Sequence, residues 1–385
     1  MFTPEEIDNL KKVVRECANS DKGLLDALRR DVTALKGSVR KIQPRGVTSV
    51  SLVASDGGNN QLRFDPFHVQ LVRVVDSYGK QLCLDAVSVS TDLAKLDAAQ
   101  WNPDGSPKTP LGRMMLDLGV TSRRLNGLSH MMPAQGTPPE QIPGAWVQVY
   151  RDLCEWAVLY ELICYRPFAT DTMVVRDGLL RSKMFRGELF IRFREKLEEA
   201  IERIRRVDRR KIFLVGVAKR TKVLERYALA MALERVLPDG EARYVEVPRD
   251  MERSAVEWGA DILGPEETPT GKEVAGKFVA GTLFFVRFGS YGGDPVWSVD
   301  LLTSQVGSHQ EVFGYLQQDA VEGFPVPFYP MCLQKAHSHA QIVDFDQDIL
   351  SDHVIQAVRD ILPPSEQSIF DALPLKQDVA GRRYE

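Results

Sequence analysis

The sequence predicts a mixed α/β fold, and three observations carry that prediction. Short apolar runs at Ser51–Ser55, Thr172–Val175 and Ile212–Ala218 read as buried strands. Amphipathic stretches of helical length lie at about 145–165, 186–208 and 221–236. The strand ending at Asp177, the helix over 186–208 and the strand Lys211–Lys219 form a crossover unit, which makes the two strands parallel.

Bulk properties narrow the rest. With 385 residues, 44% hydrophobic and 26% charged, the chain can bury a large core as one big domain or two small ones. No apolar run reaches the roughly 18 residues that span a bilayer, so no membrane contact is expected. The first 30 residues are charged and helical in pattern, unlike a signal peptide. Five cysteines are scattered without any CxxC, which argues against both a zinc site and a disulfide framework. The expected compartment is the cytoplasm. Net charge is −4, yet Arg176–Lys222 holds sixteen Lys/Arg against seven Asp/Glu. The Glu195–Glu202 part reads as ion pairs on a solvated face. Arg203, Arg205, Arg206, Arg209, Arg210 and Lys211 lack enough nearby acids for that account, and phosphate contact is the competing reading.

In chain order, residues 4–44 look helical. Thr3-Pro4-Glu5-Glu6 supplies a capping hydroxyl, a first-turn proline and acids at the dipole's positive end. Leu24, Leu25, Leu28, Val32 and Leu35 form one apolar stripe, to be buried on the chain's own domain or on a second subunit. The next strand ends in Asp56-Gly57-Gly58, where the glycines are expected to turn the chain and leave Asp56 at the strand tip. Phe67–Val75 and Gln81–Val89 flank Asp76-Ser-Tyr-Gly79 as a hairpin. Residues 92–144 are punctuated by proline and glycine and read as an insertion. Its Met114, Met115, Met131 and Met132 are core fillers or flexible contacts, core being favoured. The helix over 145–165 carries Glu155 and Glu161, and Thr172–Arg176 leads to a second Asp-Gly at Asp177. Parallel neighbours end on the same edge, so Asp177 and Lys219 should lie side by side. Further strands fall at 278–287 and 295–302. Helices follow at about 309–320, 332–343 and 350–362, before a polar tail.

Several motifs are excluded. Gly264…Gly271-Lys272-Glu273 has the wrong spacing for a phosphate loop, a Glu in place of Ser/Thr, and interrupting prolines. No GxGxxG, HExxH or GxSxG occurs. What remains is a set of acids on rigid elements, followed by a late histidine. Such carboxylates suit two hard divalent ions that activate water at a phosphodiester, with a lysine offsetting charge at phosphorus. Strand, hairpin, helix, strand, with acids at those points, is the order of an RNase H-like mixed sheet flanked by helices.

Asp56-Gly, Val175-Arg-Asp177-Gly-Leu-Leu, Gly216-Val-Ala-Lys219-Arg-Thr, Phe285-Val-Arg287 and Tyr329-Pro…Leu333-Gln-Lys-Ala-His337 together resemble the NurA nuclease family, over about residues 48–345. The resemblance implies a Mn²⁺-dependent (or Mg²⁺-dependent) 5′→3′ exonuclease and single-strand endonuclease. It implies two ions, a homodimer, and DNA-end processing with a HerA-like hexameric ATPase in repair or phage defence. On this view residues 1–45 are an N-terminal helical segment for dimer or partner contact. Residues 46–345 are the nuclease domain with its 92–144 insertion, and 346–385 a C-terminal helix and tail. Asp56 and Asp177 match the metal-binding acids, and Glu161 is the helix-borne acid, with Glu155 the alternative. Lys219 matches the motif lysine, and His337, preferred to His339, completes the catalytic and metal set. Arg176, Arg220, Lys222 and Arg287 are the expected DNA contacts. The sequence departs from the family pattern in its insertion and in Gly58, where the family often has Ser. The competing reading is a non-catalytic DNA-binding adaptor of a translocase complex, with the Asp-Gly sites as plain turns; a third is an RNA nuclease.

Overall fold

The computed structural model describes residues 2–46, 51–64, 67–138, 141–255, 277–341 and 344–372. The chain divides into two compact units, Met1–Ser55 with Leu159–Lys335, and Asp56–Val158 with Ala336–Glu385.

The first unit opens with helix α1 (Pro4–Thr33). Thr3 Oγ1 accepts from Glu6 N, while the Glu6 carboxylate accepts from Thr3 N. This reciprocal pair and Pro4 satisfy the free end of the helix. The expectation of helix to residue 44 overshoots: after a 3-10 turn at Ala34–Ser38, Arg40–Lys41 forms strand β1, antiparallel to a later strand at Arg243–Glu246. That later strand, and the helix Arg249–Ala255 after it, were not anticipated. The C-terminal part of the α1 stripe is covered by the chain itself. Val32 and Leu35 are buried with Val223, Tyr227 and Met231, and Leu25 and Leu28 pack against the same cluster.

The unit's sheet uses strands β2 (Ser51–Phe64), β5 (Thr172–Asp177), β6 (Ile212–Ala218), β7 (Arg243–Glu246), β8 (Gly281–Arg287) and β9 (Val296–Leu302), in the order β1-β7-β8-β9-β6-β5-β2. β5 and β6 are parallel from Thr172↔Ile212 to Asp177↔Val217, as the crossover through the helix Leu189–Val207 requires. β2 is parallel to β5 from Ser51↔Thr172 to Ser55↔Arg176. β9 and β8 follow antiparallel. β6 and β8 are buried at every residue, so both faces of the sheet are covered there.

The second unit takes β2 onward from Asp56 to its neighbour β3 (Phe67–Asp76) and then to β4 (Gln81–Ser88). This gives the strand-then-hairpin opening of an RNase H-like sheet. β3 and β4 are antiparallel, and Asp76 Oδ1 accepts from Tyr78 N and Lys80 N at 2.9 Å to shape the turn, with Gly79 at φ 78°. The expected turn at Gly57-Gly58 does not occur. β2 continues to Phe64 because β3 supplies it with a neighbour, so Asp56 lies within a strand instead of at its tip. The 92–144 insertion is helical in short pieces, at Leu93–Ala98, Pro110–Asp117 and Leu125–Leu128. Met114, Met115 and Met132 are buried there and Met131 is at the surface, so three of the four fill core.

Helices are labelled from here in chain order: α2 to α4 are the insertion's three, α5 Trp146–Tyr165, α6 Leu189–Val207, α7 Lys222–Leu233, α8 Arg249–Ala255, α9 His309–Val321, α10 Met331–Ala340, α11 Asp344–Ile361 and α12 Pro364–Asp371. No helix among the described residues is long and apolar enough to cross a membrane.

Candidate acidic site at the end of strand β5

β5 delivers Asp177 at its carboxyl end, and Gly178, at φ 106°, turns the chain there. Gly178 N donates to Val217 O at 2.8 Å. The turn passes so close to β6 that a Cβ on Gly216 would lie 2.5 Å from Gly178 O. Only glycine at 216 allows that approach.

Both Asp177 oxygens are engaged. Tyr329 Oη donates to Oδ1 at 3.0 Å, and Lys219 Nζ donates to Oδ2 at 3.2 Å. Lys219 Nζ also sits 4.9 Å from the centre of the Tyr329 ring, within cation–π range. Tyr329 is fully buried, its ring edge-on to Trp297 at 4.9 Å, so the donor is fixed by packing. The Asp177 and Lys219 side chains stay 22% and 40% exposed, open to a solvent-borne substrate. The crossover argument brings Asp177 and Lys219 together, and they form an ion pair. Tyr329 was seen in the sequence only as part of a late motif. No local signal joins it to an acid 152 positions earlier.

The segment after Asp177 is anchored from below. Asp300 Oδ2 accepts from Leu180 N at 3.1 Å and Arg181 Nε at 2.8 Å, and its Oδ1 accepts from Arg181 Nη2 at 2.7 Å. Arg181 also pairs with Glu252, which Arg249 approaches at 3.3 Å. Asp300 and Glu252 are buried. Burial opposes the Arg181 charge, but the two carboxylates outweigh it and raise its pKa. Burial raises the Glu252 carboxyl despite both arginines.

The other expected site residues are dispersed. Glu161, on the first-unit end of α5, lies 4.0 Å from Arg166 Nε. Glu155 belongs to the second unit and pairs with Arg151 at 3.3 Å. The Asp56 side chain lies outside the described residues, as does Gly264–Glu273. His337, on α10, is exposed and belongs to the second unit, where its Nε2 is 2.9 Å from Gln341 Nε2. His339 is likewise exposed. Arg176 folds back to donate to Leu179 O at 3.0 Å, and Arg220 and Lys222 are exposed on either side of the α7 cap Thr221. Arg287 requires correction. It is 2% exposed and donates to the carbonyls of Leu237 and Pro238 at 2.7 and 2.6 Å, so it braces a turn instead of standing out toward a DNA backbone.

The basic stretch from Arg203 is also placed differently from expectation. Thr172 N donates to Lys211 O and Lys211 N to Asp171 Oδ1, which puts residues 208–211 at the opposite end of β5 from Asp177. Five residues of strand separate the two ends, roughly 17 Å. The stretch is also better compensated than its sequence suggests. Arg205 and Arg206 pair with Glu202, Lys211 pairs with Glu311, and Arg203 donates to Cys164 O.

Among the described residues no group of three His, Cys, Asp or Glu could hold a metal ion. Asp177 nevertheless fits one in kind. It offers two hard carboxylate oxygens at a partly open position, the donor type that Mn²⁺ and Mg²⁺ take.

No protein-family model and no curated protein matches the chain. Solved structures do. The crystal structure of the NurA nuclease from Sulfolobus solfataricus aligns over 94% of this chain and 99% of its own, at 13% identity and a TM-score of 0.40. That of NurA bound to dAMP and manganese aligns over 96% and 100%, at 12% identity and 0.42. A third, NurA with manganese, covers 91% and 98%, at 13% identity and 0.34. The chain is similar to NurA structures.

Proposed function

We propose that the chain is a divalent-metal-dependent deoxyribonuclease that hydrolyses phosphodiesters at the Asp177 edge of the sheet. The observation that carries this reading is Asp177 itself. It stands at the carboxyl end of parallel strands, held on one oxygen by Tyr329 and on the other by Lys219. The parallel register of β2 with β5 runs to Ser55↔Arg176, the residues just before Asp56 and Asp177. An acid at the carboxyl end of a rigid parallel strand is what a metal-dependent phosphodiesterase needs on its frame.

Mn²⁺ or Mg²⁺ held at Asp177 would supply an activated water and neutralise charge at phosphorus, and the motif resemblance names Asp56, Glu161 and His337 as the further ligands to test. Tyr329 fixes the rotamer of Asp177 by donating to Oδ1, so the carboxylate is pre-oriented without reorganisation. Lys219 keeps a partly exposed cation at the rim. It compensates Asp177 and can turn to a non-bridging phosphate oxygen. Arg176, Arg220 and Lys222 flank the same edge and take the DNA backbone, which makes affinity salt-dependent. The finer assignment follows from the motif resemblance: 5′→3′ exonuclease and single-strand endonuclease, two ions, a homodimer, and a HerA-like ATPase in repair or phage defence. The chain carries no Walker A motif, so translocation would fall to that partner.

The test is cleavage of end-labelled single- and double-stranded DNA with Mn²⁺, Mg²⁺ or EDTA, beside Asp177→Asn. Degradation that needs the metal and disappears in the variant is expected. Cleavage indifferent to both EDTA and Asp177→Asn would overturn the assignment. Silence that persists after adding the cognate ATPase would move it to a DNA-binding adaptor.

A further inference from the structure

Across β9 from the Asp177 strand pair, the first unit contains a cavity of about 300 Å³ walled by α7, the turn after it, and the facing ends of β8 and β9. Leu224, Ala228 and Met231 come from one face of α7, spaced four and three residues apart. Leu237 and Val296 add apolar wall, and Arg287 is the buried cation among the lining residues. A volume of this size is at the lower end of small-ligand sites.

Arg287 marks the chemistry. Its Nη1 and Nη2 are occupied by neutral carbonyls, and among the described residues its buried Nε has no acceptor. Carbonyls satisfy donors but do not cancel a charge. A buried cation whose counter-charge is loosely held and largely in solvent is costly, and burial lowers its pKa. Its ion-pair partner among the described residues is Asp239, whose Oδ1 is 3.9 Å from Arg287 Nη1 and whose side chain is 66% exposed. Asp294 acts from farther off, its carboxylate accepting from Tyr291 N, while Arg243 adds positive charge. Arg235 lines the same cavity. The site therefore combines an apolar wall with an under-compensated buried guanidinium.

We infer that this cavity binds a small amphipathic monocarboxylate, with its apolar body against Leu224, Met231 and Leu237 and its carboxylate toward Arg287. The register of β6, β9 and β8 puts Arg287 and Val296 at the same end of the sheet as Asp177, with β8 two strands from β6. Octanoate binding is read without DNA or metal, so its failure is distinct from failure of the cleavage assay.

Calorimetric titration of the full chain with octanoate, and with 1-octanol as the uncharged probe, tests it. Octanoate should bind saturably at one site, and octanol about tenfold more weakly, the difference made by one charge-assisted contact. Ala228 is exposed at the cavity wall, so Ala228→Phe should fill the space and abolish binding with little change in melting temperature. Asp239→Asn removes the competing carboxylate and should tighten octanoate binding several-fold. Methyl chemical-shift changes at Leu224 and Val296 on adding octanoate to the unmodified chain locate the site whether or not Ala228→Phe folds. Absence of saturable octanoate binding, equal affinity for octanol, or shifts confined to other residues would overturn the inference.

Discussion

Tyr329 and Asp177 are 152 residues apart in sequence and meet at 3.0 Å through a phenol–carboxylate hydrogen bond. The phenol is fully buried, so Tyr329→Phe removes the donor with the ring still packed against Trp297. Stability should fall by about 1 kcal/mol, the usual net worth of such a bond. DNA cleavage should fall about tenfold, since Asp177 loses its fixed rotamer. Urea unfolding and initial cleavage rates measured on one preparation would separate the two effects. A stability loss with unchanged rate would leave Tyr329 a purely structural residue.

Lys219 should weigh more on rate than on stability. Its ion pair with Asp177 is substantially exposed, so Lys219→Ala should change stability by less than about 1 kcal/mol. On cleavage it should act like loss of an electrostatic stabiliser, about a hundredfold in rate. Melting curves paired with a single-turnover assay test this, and full activity in the variant would remove Lys219 from the chemistry.

Gly216 has a steric role. A side chain there meets Gly178 O at 2.5 Å and Leu180 N at 3.0 Å, both backbone atoms that cannot swing aside. Gly216→Ala should cost about 1–3 kcal/mol as an overpacking change, displacing the Asp177 turn as it does so. A melting temperature equal to that of the unmodified chain would show that the turn yields more readily than this contact suggests.

The buried Arg181–Asp300 pair should respond differently to single and double changes. Asp300→Ala leaves Arg181 short of one partner and frees Leu180 N, and should destabilise by about 3–5 kcal/mol. Combining it with Arg181→Met should recover part of that loss, because the buried guanidinium goes with its partner while Glu252 keeps Arg249 at 3.3 Å. Chemical denaturation of the single and double variants checks this, strict additivity being the contrary result.

Asp97 links the insertion to pH. Burial raises its carboxyl above the ordinary 3.8, against hydrogen bonds from Leu125 N and Gln135 and the charge of Arg124. The folded chain therefore holds this proton more tightly than the unfolded chain. The resulting stability is complete below the unfolded value and is lost as pH rises through the raised folded value. Asp97→Asn should flatten stability against pH in the mildly acidic range just above 3.8. Parallel slopes for both proteins in thermal melts across that range would refute it.

The parts of this molecule that could be read from sequence are those fixed by period and connection length. The β5–α6–β6 crossover follows from two apolar runs and an amphipathic helix, and the meeting of Asp177 with Lys219 follows from it. What escaped was set by distant partners. Arg243–Glu246 is too short for a periodic signal and becomes a strand only because β1 and β8 flank it. Gly57-Gly58 has the composition of a turn, but β2 runs through it beside β3. Arg287 carried a clue, standing among Phe285, Val286 and Phe288 in a segment buried throughout. A charge in that setting is more often a brace than a ligand contact.

The chain passes between its two units at Ser55/Asp56, Val158/Leu159 and Lys335/Ala336, so each unit is assembled from two separate stretches. This has a consequence for synthesis. During translation the residues that open the second unit leave the ribosome long before Ala336–Glu385, and must wait unfinished while the first unit is completed through Lys335. Truncation at any one of these crossings leaves at least one unit incomplete. Separately expressed fragments should therefore regain structure only when their complements are supplied together.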